Sequence, residues 1–97
     1  MITEIAEIIV KPGMEHEFQA GVATCQPVFA RAVGCHGLEL HHCIENPQHF
    51  ILMVKWESVA HHMEIFRTSP DFQIWRGAVG ACFAEPPKVY HTKTTIR

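Results

Sequence analysis

The chain has 97 residues, of which 47% are hydrophobic and 19% charged, and a formal net charge of −2. Without a lysine or arginine cluster it lacks the phosphate-neutralising surface of a nucleic-acid binder, and no apolar run approaches the roughly 18 to 20 residues of a membrane span. The N-terminus has no basic region followed by an apolar one, and Cys25, Cys35, Cys43 and Cys82 form no CxxC pair, so one soluble, cytoplasmic domain with reduced thiols is expected.

The first strand is expected over Ile2 to Val10, with Ile2, Ala6, Ile8 and Val10 on one side and Thr3, Ile5, Glu7 and Ile9 on the other. Lys11-Pro12-Gly13 stops it. From Glu15, residues Phe18, Val22, Cys25, Phe29 and Ala32 step by four and three, the spacing of one buried helix face. Pro27 lies inside that pattern and removes a hydrogen bond, which predicts a kink or break near Thr24 to Gln26. Gly34 suits the helix end. A second strand should run from about His36 to Ile44, with Leu38, Leu40, His42 and Ile44 alternating against Glu39, His41 and Cys43. Asn46-Pro47 marks the turn to a third strand, so the two form an antiparallel hairpin.

In that third strand Phe50, Leu52, Val54 and Trp56 share one side, while Ile51 and Met53 occupy the other. Both faces call for burial. Ser58 is a plausible N-cap for a helix whose buried stripe would be Val59, Met63 and Phe66. Ser69 and Pro70 then start another helix, with Phe72, Trp75, Val79 and Phe83 on one stripe. Pro86-Pro87 closes it, and Val89 to Ile96 makes a closing strand rich in threonine. The order is the ferredoxin-like βαββαβ arrangement of the α+β class, with a four-stranded antiparallel sheet. Helices on one apolar face leave the other for a second copy. Two sheets face to face would make a homodimer, a dimeric α+β barrel. The charged fraction, below the roughly 25% of an average soluble domain, agrees with surface hidden in an oligomer.

The strand ending in Trp56-Glu57-Ser58, the histidines after it, Phe66-Arg67-Thr68-Ser69, Phe72, Trp75-Arg76 and Pro86-Pro87 together resemble the antibiotic biosynthesis monooxygenase domain family. The Gly34-Cys35-x-Gly37 turn fits the same layout, and the resemblance covers essentially the whole chain. It implies the dimeric barrel and one of three activities: cofactor-independent oxidation of phenolic or anthrone polyketides, oxidation of small quinols, or haem degradation. The haem-degrading pattern carries asparagine on the first strand, tryptophan on the helix and a histidine ligand, where this chain has Ala6, Phe66 and Arg76. Those departures argue against haem. The aromatic-oxidising pattern places a tryptophan at the end of the third strand and polar groups on the later helices, positions that Trp56, His62 and Arg76 match.

A cofactor-free oxygenase needs a substrate that is itself the reductant, so the protein must supply an apolar slot, a base and a group that holds an anion. His62 is the candidate base, since its ordinary pKa near 6.5 suits proton removal at neutral pH. Arg76 would stabilise the anion, Trp56, Phe72 and Trp75 would wall an aromatic ring, and Phe66 and His42 complete the candidate substrate contacts. Each has a structural rival. Trp56 also suits core packing, His62 a boundary position beside the Val59–Met63–Phe66 stripe, and Arg76 an ion pair with Glu57 or Glu64. His61 points further away, towards solvent. His41 and His42 are adjacent on a strand and point to opposite faces, so no metal site is expected, and His42 either lines the pocket or is held structurally. A cofactor-independent monooxygenase is the first reading. The alternatives are a ligand-binding or stress-responsive dimer without catalysis, or an isomerase or cyclase on the same fold.

Overall fold

The computed structural model describes residues 1–97. Its strands are β1 (Ile2–Ile9), β2 (Cys35–His42), β3 (His49–Trp56) and β4 (Lys88–Thr92), paired antiparallel in the order β2–β3–β1–β4. Helices α1 (Glu15–Thr24) and α2 (Gln26–Ala30) connect β1 to β2. A π-helical turn (His61–Phe66), helix α3 (Pro70–Val79) and a 3-10 turn (Gly80–Cys82) connect β3 to β4. This is the ferredoxin-like βαββαβ order, with each helical crossover divided into pieces.

The pieces follow from local chemistry. Pro27 cannot donate a backbone hydrogen bond, so α1 stops at Thr24 and the chain restarts at Gln26 with the proline in the first turn of α2. Ser69 caps α3, its hydroxyl accepting from the Phe72 N–H at 3.3 Å, and Pro70 opens the helix where no amide partner is needed. In the sheet, Ile8 pairs with Phe50, Ala6 with Leu52 and Ile2 with Trp56, so the inward sides of β1 and β3 lie side by side. Phe18, Val22, Phe29, Trp75 and Val79 close over that surface. Each such side chain contributes roughly 1.5–3 kcal/mol when removed from water.

Several expectations differ from what is found; β2, for one, ends at His42 and leaves Ile44 93% exposed. The closing strand ends at Thr92 rather than Ile96, because Thr92 already pairs with Thr3 and β1 offers almost nothing beyond Ile2. Helix α3 ends at Val79, and the 3-10 turn delivers Phe83 to an isolated bridge with Val10 instead of leaving it on the helix. The segment after Ser58 buries His62 and Phe66, while Val59 and Met63 are 43% and 38% exposed. Its i→i+5 winding is wider than an α-helix, so the inward face turns away from Val59 and Met63 and towards His62. On the sheet face away from the helices, Ile5, Ile9, Ile51 and Met53 are only half-buried. No helix is long and apolar enough to cross a membrane.

Candidate active site

β1 carries Glu4 on the same inward side as Ala6 and Ile8, opposite Val54 on one neighbour and His91 on the other. This carboxylate is 6% exposed. It survives there because it is met by polar groups: the Trp56 indole N–H donates to Glu4 Oε1 at 2.9 Å, and His62 Nε2 lies 3.3 Å from the same oxygen. Trp56 is wholly buried, and its ring lies nearly parallel to the His62 imidazole, with centroids 5.4 Å apart and planes at 17°. The π-helical turn makes this possible by aiming His62, 4% exposed, at the sheet. On its other side, His62 Nδ1 sits 2.8 Å from Nε2 of half-buried His91. One proton shared between those nitrogens satisfies both, in either tautomeric sense.

Electrostatics favour neutral forms here. Burial pushes the Glu4 carboxyl from 4.5 up to about 7, against the pull of the Trp56 hydrogen bond and the Arg67 charge. Burial, then the charges of His91 and Arg67, push His62 from 6.5 down to about 4. Between about pH 4 and 7 the 3.3 Å contact therefore joins a protonated carboxyl to a neutral imidazole and is not an ion pair. The pair exchanges a proton near neutrality and can act as base or acid.

Glu4 and His62 form part of the wall of an open cavity of about 830 Å³ between the β1–β4 half of the sheet, α3 and the segment running to Pro87. Phe72, Trp75, Arg67 and Arg76 also line it. Of the residues singled out from sequence, His62, Phe72, Trp75 and Arg76 thus converge on one space. Trp56 and Phe66 stand in the layer behind: Phe66 packs on Trp56 with centroids 5.4 Å apart and meets Phe72 edge-on at 5.7 Å, but neither lines the cavity. His42 is elsewhere. It stacks on Phe50 at 4.1 Å, donates its Nε2–H to the Pro47 carbonyl oxygen at 2.6 Å, and lies outside the cavity lining. Arg76 pairs with neither Glu57 nor Glu64; Glu57 is instead 3.4 Å from both His36 and His61. His61 is half-buried, with Nδ1 2.8 Å from the Ser58 hydroxyl, rather than solvated.

Sequence reasoning passed over Glu4 and His91, and gave Arg67 no role beyond its place in the Phe66-Arg67-Thr68-Ser69 stretch. The signal for Glu4 was present, since period-two alternation puts a carboxylate between Ile2 and Ala6 on a face otherwise meant for the core. His91 becomes visible only through the register that sets it opposite Glu4.

The sequence profile described as antibiotic biosynthesis monooxygenase matches residues 1–78. A Bacillus subtilis (strain 168) protein, the uncharacterized YczJ, is 30% identical over 91 residues, spanning 94% of this chain and 96% of its own length. The crystal structure of a Bordetella bronchiseptica protein, provisionally named an antibiotic biosynthesis monooxygenase, is 56% identical with a TM-score of 0.97, over 98% of this chain and 97% of that one. A Nitrosomonas europaea protein with the same provisional name is 18% identical with a TM-score of 0.83, over 99% of this chain and all 100% of the other, a likeness of fold alone.

Proposed function

The chain belongs to the antibiotic biosynthesis monooxygenase family, and from that premise we propose that it is a cofactor-independent monooxygenase, oxidising a small aromatic, quinol or polyketide-like substrate with dioxygen as a homodimer. One observation carries the reading: a buried acid–base pair, Glu4 with His62, opens onto an aromatic-walled cavity large enough for a fused-ring ligand. The half-buried isoleucines and Met53 on the far face of the sheet support the dimer.

The chemistry needs no electrons from the protein. A quinol hydroxyl gives its proton to the Glu4–His62 pair, with Arg67 and Arg76 lowering the cost of the resulting anion. The anion passes one electron to dioxygen, and the two radicals join as a ring hydroperoxide after a proton is supplied. Loss of water leaves a hydroxyquinone, so quinol plus dioxygen gives hydroxyquinone plus water. The proton first removed returns in that water. Trp56 acts from behind, holding Glu4 through its N–H and His62 through its ring face.

Oxygen uptake is measured over a panel of hydroquinones and anthrones, with product mass recorded. Uptake with product carrying one added oxygen atom, lost in Glu4→Gln and His62→Phe, is the expected result. Aromatic ligands that raise the melting temperature without any uptake would sink the oxygenase and leave a binding dimer, whereas a product of unchanged mass would mark an isomerase. Sedimentation of a lone subunit at micromolar concentration would remove the dimer.

A further inference from the structure

Arg67 and Arg76 both line the cavity, and neither belongs to any ion pair. Elsewhere this chain does pair an arginine fully: Arg31 grips Asp71 with two hydrogen bonds of 2.8 Å each. At the cavity, the Arg67 guanidinium carbon instead stands 5.4 Å over the Phe72 ring, and its remaining side-chain partner is the Met63 sulfur at 3.9 Å. Arg76 follows Phe72 by four residues on α3, so the two side chains are neighbours on one helix face. Both arginines thus line the cavity beside Phe72, Arg67 over its ring and Arg76 one turn further along α3. The carboxylates of the lining are Glu4, whose Oε1 is engaged by Trp56 and His62, and Glu85, which pairs with neither arginine. Both side chains are exposed at the rim and free of ion pairs, so two guanidinium forks are open there to an incoming anion.

We propose that the ligand of this cavity is an aromatic carboxylate, its carboxylate held by Arg67 and Arg76 beside Phe72 while its ring lies towards Glu4 and His62. The proposal deepens the oxygenase reading, on which it rests for what happens to the ring, by naming the substrate class as a quinol or phenol that carries an acid group. Guanidinium forks match a planar carboxylate in a way that they do not match a neutral amide. The cavity's roughly 830 Å³ accommodates a fused bicyclic acid. It also divides the labour: one charge of the substrate anchors it, and the hydroxyl remains free for the Glu4–His62 pair.

The test is calorimetric titration of the full chain with 1-hydroxy-2-naphthoate and its neutral isostere 1-hydroxy-2-naphthamide. The acid should bind at least about tenfold more tightly, the effect of one charge-assisted hydrogen bond or more, and that advantage should fall towards parity in Arg67→Gln and Arg76→Gln. Equal binding of acid and amide, binding of neither, or an acid preference that persists in the double variant would overturn the proposal. Oxygen uptake with 1,4-dihydroxy-2-naphthoate and 1,4-dihydroxynaphthalene separates the two readings. Acid-selective binding with no uptake from either quinol removes the oxygenase and leaves the carboxylate site. Uptake from both quinols with no acid preference in binding removes the carboxylate site and leaves the oxygenase.

Discussion

Replacing Glu4 with glutamine should make this protein's stability respond to pH in a way that isolates the buried carboxyl. Its folded-state pKa stands near 7, against 4.5 as an ordinary glutamate, and burial is the cause. The folded chain therefore holds this proton more tightly than the unfolded chain. The stability it contributes is fully present below pH 4.5 and is lost as pH rises through 7. Two and a half decades at about 1.4 kcal/mol each come to about 3 to 4 kcal/mol. Glutamine keeps a carbonyl oxygen for the Trp56 N–H but cannot ionise, so it escapes that loss. His62 runs the other way: held down to about 4, it contributes stability that is lost as pH falls from about 6.5. In the wild type the two slopes nearly cancel between about pH 4.5 and 6.5, and in Glu4→Gln the histidine slope stands alone. Urea unfolding of both proteins at fixed concentration across pH 4.5 to 8.5 measures the difference. The variant's stability relative to wild type should climb with pH and level off above 7, by about 3 to 4 kcal/mol in all. Any constant offset from altered hydrogen bonding is irrelevant, because the slope is the diagnostic. A difference that is flat with pH would show that Glu4 ionises as an exposed glutamate does and would remove the acid–base pair from the site.

Trp56→Phe removes the N–H that favours the ionised carboxylate, so the Glu4 midpoint should rise further, by roughly one pH unit, in a carbon-13 NMR titration of the carboxyl. Gly34 has φ +80°, and a methyl group there would collide with the His61 ring, so Gly34→Ala should lower the urea midpoint by an amount equivalent to about 2 kcal/mol or more. Ser69→Ala deletes the cap of α3 and should cost about 1 kcal/mol in the same measurement, without changing the pH profile of the Glu4–His62 pair.

Much of the architecture was readable because single residues carry decisive backbone constraints. Pro27 announces the break between α1 and α2, Ser69-Pro70 the start of α3, and Asn46-Pro47 the hairpin turn. The candidate site was only half readable. Phe72, Trp75 and Arg76 fall where a 3.6-residue period puts them, but His62 was set beside the buried stripe because Val59, Met63 and Phe66 are more apolar than it is. Hydropathy assigns the inward face to those residues, whereas the π-helical turn keeps Phe66 there and gives the rest to His62. Such a turn has no signature in propensity, since its wider winding is stabilised by what it reaches, here Trp56 and Glu4. Trp56 was given a wall of the cavity on the strength of its place at a strand end. Its indole instead lies behind His62, where Glu4 supplies the acceptor that a buried N–H requires. His42 drew notice as a polar residue on an inward face, yet β2 is an edge strand that α2 meets near its start at Cys35–Leu38, and His42 at its other end packs on Phe50.

The pairing of Glu4 with His62 changes what the proposed reaction asks of each group. A phenol has a pKa near 10, so an acceptor near 4, such as His62 alone, would face about six decades, or roughly 8 kcal/mol, before dioxygen is engaged. Glu4 at about 7 halves that gap. The remainder falls to Arg67 and Arg76, which no carboxylate of the chain pairs and which, holding the carboxylate of an ortho-hydroxy acid, stand beside the adjoining phenolate oxygen as well. A base of moderate strength and an unpaired cationic rim are thus two parts of one requirement, and neither suffices alone. His91 extends the same logic outward. With a ligand filling the cavity, the 2.8 Å contact from His62 to half-buried His91 is the way for the stored proton to reach water and return. In the proposed reaction kcat should therefore rise with pH through the Glu4 midpoint near 7. His91→Phe should lower kcat more than KM, because it interrupts proton return while leaving the aromatic walls and the guanidinium rim in place.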